Sequence, residues 1–309
     1  MRSAAVFLVA TGIALGAQVS HAQTDSATGL VRRLVRPEVA DSTVQRYLAP
    51  NYVVFARGVR ADAPLLVFMP GTGGAPRNTT EFADVAARQG YRVIGLEYDD
   101  VPAVGQICPR DPDPTCAERV RRKRIFGDDV SGRIDDRPEE SIESRLVHVL
   151  ALLDREHPGE GWGQYVKDGH PAWERIAVSG LSQGAGMAAY IARQKEVARV
   201  ILFSSPWDSY GRMQTLAPWV RGSGATPVER WYGVFHRREA QAAQIARAYS
   251  ALGIPSSHVR AFDLDPAPRA PEGAFHPSVV GNGPTPRLAD GTPAYLPEWL
   301  WMLGDVRKP

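Results

Sequence analysis

The run from Ile176 to Gly186, I-A-V-S-G-L-S-Q-G-A-G, leaves this chain the least freedom. It opens as a short apolar strand, bends through glycine, and continues as Gly184 to Arg193, a small-residue segment that predicts a helix. Within it Gly180, Ser182 and Gly184 spell G-x-S-x-G. A serine held on a tight strand-to-helix turn takes a strained backbone conformation, and the residues two before and two after it must lack side chains for the chains to pass. The turn lifts the hydroxyl above the sheet edge, and the helix that follows aims its unpaired N–H groups at the same point. Five residues match by chance; the strand before and the helix after are the context the motif demands. Both are present, so the stretch predicts a nucleophile elbow.

The remaining chain reads as alternating strands and helices. Tyr52 to Ala56 and Leu65 to Met69 are β-rich runs, and the second is apolar throughout, as expected of a strand covered on both faces. Pro70-Gly71-Thr72-Gly73-Gly74 follows it, then a helix over Thr80 to Gln89 stopped by Gly90, then a strand over Tyr91 to Leu96. Strand, glycine loop, helix, strand is the βαβ unit of an α/β fold. Ile142, Leu146, Val149, Leu150 and Leu153 form one helical stripe within Glu139 to Glu156. Further strands are predicted over Ala198 to Ser205, Arg230 to His236 and His258 to Leu264, with helices over Glu239 to Leu252 and Pro297 to Leu303. Asp265 to Pro297 is a long Pro/Gly-rich loop. Residues 23–50 suggest one or two surface helices, around Val31 to Leu34 and Val44 to Leu48. Residues 97–138 read as an irregular insertion beside the mouth of the site.

Of the 309 residues, the first 22 read as a secretory signal peptide: Met1-Arg2, an apolar stretch from Ala4 to Ala17, and Ser20-His21-Ala22 before a cleavage point at Gln23. That stretch is too short to span a bilayer comfortably, and no later segment resembles a membrane span. Residues 23–309 are expected to form a single domain, exported to the periplasm or beyond. In an oxidising compartment the two cysteines, Cys108 and Cys116, most simply pair and clamp a Pro/Asp-rich loop. Their spacing does not suggest zinc. A net charge of +2 implies no nucleic-acid partner, and the basic run Arg119 to Arg124 is expected to be a solvated helix face.

A nucleophilic serine needs a base within hydrogen-bond reach, and the base needs a carboxylate to orient it. From about Tyr52 to Leu303 the chain resembles the α/β-hydrolases, on the strength of Gly180-Leu181-Ser182-Gln183-Gly184 and Pro70-Gly71-Thr72-Gly73-Gly74. That resemblance implies a mostly parallel central sheet with helices on both faces, and the order serine, acid, histidine along the chain. His276, in the loop after the last strand, is the implied base. His258 begins a strand and so lies at the wrong end of the sheet, and His236 could be a pocket residue. For the acid, Glu239 follows the strand that ends at His236; its alternative reading is a glutamate at a helix N-terminus. Asp208 is the second candidate, and Asp263 and Asp265 are third. Backbone N–H groups of Gln183 and of Thr72 or Gly73 are the expected oxyanion donors. Trp207, Trp219, Trp231 and Tyr210 are candidates for an acyl pocket, or simply for packing.

The expected activity is ester hydrolysis by a secreted serine enzyme using neither metal nor organic cofactor. A peptidase or acyltransferase on the same triad, or a binding protein that kept the fold without the chemistry, are the alternatives. Lipids, polyesters, small esters and peptides are all substrates of such a fold, and neither the substrate nor the oligomeric state is written in these motifs.

Overall fold

The structure is a computed structural model that describes residues 23–25, 28–222 and 224–307. The signal peptide expected over residues 1–22 lies outside the described residues.

Among the described residues nine strands form the central sheet: β1 (Gln23–Asp25), β2 (Leu30–Val35), β3 (Asn51–Ala56), β4 (Leu65–Met69), β5 (Arg92–Gly95), β6 (Ile176–Leu181), β7 (Arg199–Phe203), β8 (Trp231–His236) and β9 (Val259–Phe262). They lie in the order β1-β2-β3-β5-β4-β6-β7-β8-β9. The first three pairings, as far as β3 with β5, are antiparallel, and the five from β5 to β9 are parallel. The expected surface helix at Val31 to Leu34 is instead part of β2, paired with β3 over its whole length. Strand pairing decided the local structure there, since the run has no apolar alternation of its own and the sheet buries Arg33 while leaving Leu34 54% exposed. Val44 to Leu48 is not helical either.

Six helices of eight residues or more occur among the described residues: α1 (Thr80–Arg88), α2 (Cys116–Phe126), α3 (Ile142–Glu156), α4 (Gln183–Gln194), α5 (Ala242–Ala251) and α6 (Leu296–Leu303). The alternation of side chains along β4 sorts the core into two layers. Leu65, Val67 and Met69 pack with α2 to α5 on one face, while Leu66 and Phe68 pack with α1 and α6 on the other. All five of these β4 residues are buried, as the continuous apolar run implied. The stripe of α3 is buried too, and Ser141 caps that helix by accepting a hydrogen bond from the Ser144 N–H at 3.2 Å.

Residues 97–138 are more ordered than expected, because α2 runs through them. The Cys108–Cys116 disulfide ties the start of that helix to the preceding turn. The basic run is a solvated face only in part: Arg119 is exposed and Arg122 half-buried. Arg121 and Arg124 are each 1% exposed and point inward. Arg121 meets Asp208 through two hydrogen bonds of 2.7 and 2.6 Å, and Arg124 meets Asp136 at 2.8 Å. Their partners lie 87 and 12 residues away, so the local sequence carried no sign that the charges would be buried.

Candidate functional site

Strand order reverses at β4. The chain leaves β4 for β5 on one side and leaves β6 for β7 on the other, so the loops after β4 and β6 part and open a crevice at their carboxyl ends. Met69 and Gly180 are paired across that edge, which brings Pro70 to Gly74 up against Ser182. The two motif glycines answer to this crowding. A Cβ on Gly180 would sit 2.5 Å from the carbonyl carbon of Gly184, and one on Gly184 would overlap the carbonyl of Met69. Gly71 is constrained in the same way, since its Cβ would meet that of Ser182 at 3.0 Å. Ser182 itself has φ 55° and ψ −119°, a strained conformation that costs a non-glycine residue about 1–3 kcal/mol. Its N–H donates to the Phe203 carbonyl at 2.9 Å, fixing the elbow to the end of β7.

His276 and Ser182 line one cavity of about 570 Å³, walled by the glycine loop, Leu181 and the 271–284 loop. That long loop is tied down at several points. Asn282 donates from Nδ2 to the Arg77 carbonyl and to Thr80 Oγ1, and the Trp299 indole donates to the Val279 carbonyl. The imidazole Nδ1 of His276 bonds Glu239 Oε2. Oε1 of Glu239 accepts from Ser204 Oγ at 2.8 Å and from the His236 N–H at 2.7 Å, and the carboxylate is wholly buried. The arrangement leaves Nε2 as the ring nitrogen free to face the serine.

The other candidates are engaged elsewhere. Asp208 is held by Arg121 and by the Trp219 indole at 2.9 Å. Asp263 and Asp265 are exposed and lie against Arg238. His236 is buried; its Nε2 donates to the Leu264 carbonyl and its Nδ1 accepts from the Arg238 N–H. His258 stacks on Tyr232 with ring centroids 4.3 Å apart. Sequence reasoning missed Ser204, whose hydroxyl donates to Glu239 Oε1. It sits at the end of β7 with φ 52°, and nothing in the letters Ser-Ser-Pro marks that geometry.

Gln183 opens α4, so its N–H has no acceptor inside the helix. Thr72 and Ser182 together line the His276 cavity and a smaller one. Gly73 has φ 68°, and the N–H of Gly74 donates to the Gly71 carbonyl at 2.8 Å, closing the loop on itself. Of the two expected loop donors, Thr72 lines both cavities and Gly73 only the larger. A second cavity of about 270 Å³ on the far side of Ser182 is lined by Gln183, Gln106, Ser205, Trp207 and Asp208 among others. Trp207 alone of the four aromatic candidates lines it, with its ring 5.6 Å from that of His276. Trp219 packs on Tyr190 and bonds Asp208, Trp231 is buried against the Thr226 carbonyl, and Tyr210 lies in a short two-stranded hairpin. Ala103, Gly105 and Gln106 bring residues 97–138 to the rim of this smaller cavity. Among the described residues no group of three or more histidine, cysteine, aspartate or glutamate side chains could hold a metal, and no helix is long and apolar enough to cross a membrane.

Directly behind the glycine loop lies a buried acidic segment that sequence reasoning also missed. Burial pushes the Glu97 carboxyl up to about 7, with the nearby Asp100 charge adding to the rise. Burial likewise pushes Asp100 up to about 6, while the amides of Gly73 and Gly74, near it but short of hydrogen-bonding geometry, oppose the rise. An acid whose proton is held more tightly in the folded state stabilises the fold at low pH and ceases to as pH climbs through its folded value. Stability should therefore fall between about pH 4 and pH 7 on account of these two groups. Each tenfold change in proton affinity is worth about 1.4 kcal/mol, so the pair contributes roughly 2–3 kcal/mol after allowance for solvent screening. Glu97→Gln with Asp100→Asn should raise the melting temperature at pH 8 by about 4–8 °C and flatten its decline between pH 5 and 8. A double variant with the same pH slope as the wild type would refute this.

No protein-family model and no curated protein sequence matches the chain. Solved structures do resemble it. A bacterial heroin esterase aligns over 91% of this chain and 84% of its own at 14% identity and a TM-score of 0.47. Esterase B from Lactobacillus rhamnosis, inhibited by a tributyrin phosphonate, aligns over 89% and 86% at 14% identity and a TM-score of 0.46. A putative dienelactone hydrolase from Klebsiella pneumoniae subsp. pneumoniae MGH 78578 aligns over 78% and 86% at 14% identity and a TM-score of 0.39. Likeness at this level says nothing about the site, whose geometry stands by itself. By its own strand order, its elbow at the end of β6 and its glycine loop at the end of β4, the chain has the α/β-hydrolase fold.

Proposed function

We propose that the protein is a serine hydrolase that cleaves carboxylic esters and acts outside the cytoplasm. One observation carries the reading: a wholly buried carboxylate, Glu239, grips Nδ1 of an imidazole whose ring shares a cavity with a serine on a strained elbow. Strain, a buried acid and a shared cavity have no common structural purpose, whereas nucleophilic catalysis requires all of them. In this reading Ser182 Oγ attacks the ester carbonyl carbon and His276 Nε2 takes its proton. The oxyanion receives the N–H groups of Gln183 and Thr72, each worth about 3–4 kcal/mol at the transition state. His276 then protonates the alcohol oxygen as its bond to the acyl carbon breaks. Water, deprotonated by the same nitrogen, releases the acid and restores Ser182. Export rests on the N-terminal segment, and the Cys108–Cys116 bridge is in keeping with an oxidising compartment.

A fluorophosphonate probe tests the chemistry directly. The protein should be labelled stoichiometrically on the peptide containing Ser182 and should hydrolyse a 4-nitrophenyl ester. A protein that stays unlabelled while folded is a binding module with this fold, and the proposal would be withdrawn.

A further inference from the structure

The larger cavity has a charge character that ester hydrolysis alone does not require. Among its lining residues the ionisable side chains are Arg77 and His276, and no carboxylate is present. Arg77 follows the glycine loop and is exposed; its backbone carbonyl is used by Asn282, but among the described residues its guanidinium makes no ion pair or hydrogen bond. Most arginines that pack against the body of this protein have a carboxylate or carbonyl partner, among them Arg33, Arg92, Arg121, Arg124 and Arg145. Glu97, on which the Arg77 charge has a small lowering effect, is buried behind the loop and does not line the cavity. The cavity continues into a second one through Pro271, Asn282, Gly283 and Pro284, where the charged lining residues are Arg269 and Arg287, the latter ion-paired with Glu81.

The side of the substrate that occupies this space follows from the proton. The departing alcohol oxygen must lie within reach of His276, and His276 lines the larger cavity but not the smaller one. The alcohol portion therefore extends past His276 toward Arg77. The acyl portion turns into the smaller space beside Gln183 and Trp207, whose volume of about 270 Å³ suits a short chain.

Resting on the serine-hydrolase reading, we infer that the preferred substrates are esters of short acids whose alcohol portion carries a carboxylate, bound by Arg77. A planar guanidinium fits a carboxylate by two parallel N–H bonds, a geometry lysine does not reproduce.

The experiment compares 3-acetoxybenzoate with phenyl acetate, which have the same acyl group and leaving groups that differ by a carboxylate. The wild type should favour 3-acetoxybenzoate by about tenfold in kcat/KM, mostly through KM, as expected of a charge-assisted pair in a partly enclosed site. Arg77→Gln should bring that ratio to about one, Arg77→Lys should keep part of it, and Arg77→Glu should invert it. A wild type without preference, or an Arg77→Gln variant that keeps the full preference, overturns the inference while hydrolysis of phenyl acetate leaves the serine-hydrolase reading intact. A preference abolished by Arg269→Gln and untouched by Arg77→Gln overturns the assignment to Arg77. If neither ester is turned over and no probe labels Ser182, the serine-hydrolase reading fails and this inference fails with it.

Discussion

Ser182→Ala should lower kcat for a 4-nitrophenyl ester by about 10⁶, leaving only the modest acceleration that the oxyanion donors and binding supply without a nucleophile. The size follows from the site's design, in which base and acid serve one hydroxyl and have no function once it is gone. Stability should hardly move, because alanine keeps the strained backbone at φ 55°. Glycine at the same position tells more. Ser182→Gly should be equally inactive yet about 1 kcal/mol more stable, since the backbone conformation that strains serine suits glycine. Rates with p-nitrophenyl acetate and melting curves for the two variants check both halves. A Ser182→Ala protein with more than a tenth of the wild-type rate would show that the hydrolysis takes place elsewhere.

Legibility differs sharply between the elbow and its surroundings. Gly180, Ser182 and Gly184 could be read because the constraint on them is local: a steric clash within a few residues forces the letters. The same holds for β4, whose unbroken apolar run reports burial on both faces, and for the stripe of α3. His276 and Glu239 were placed by chain order within a resembled fold, and their contact spans 37 residues. Arg121 shows where sequence reasoning stops. In the chain it is one of a row of cations that look solvated, and only its pairing with Asp208, 87 residues away, turns it inward. The same pairing engages Asp208, the second candidate for the acid, with Arg121, so one unreadable contact bears on both residues. Glu97 and Asp100 failed for the opposite reason, because acidic residues after a strand ordinarily mark a solvated turn, and nothing local announces that they will be buried.

Glu239→Gln should cost about 10⁴ in kcat/KM while leaving the fold in place. Oε1 accepts from Ser204 Oγ and the His236 N–H, so the amide oxygen of glutamine takes that position and satisfies both donors. The amide NH₂ then faces His276 Nδ1 in place of Oε2. Against a donor, Nδ1 must present its lone pair, which puts the ring proton on Nε2, and a protonated Nε2 cannot accept the serine proton. The loss therefore comes from the tautomer and not from geometry, and the melting temperature should change little. Asp208→Asn is the informative contrast. It removes the charge that compensates Arg121, which is 1% exposed, and should destabilise the protein by about 3–5 kcal/mol while the surviving folded fraction keeps near-normal turnover per labelled serine. Were Asp208→Asn to abolish turnover in folded protein while Glu239→Gln kept it, the acid would have been assigned to the wrong strand end, because only the carboxylate that fixes the imidazole can control its tautomer.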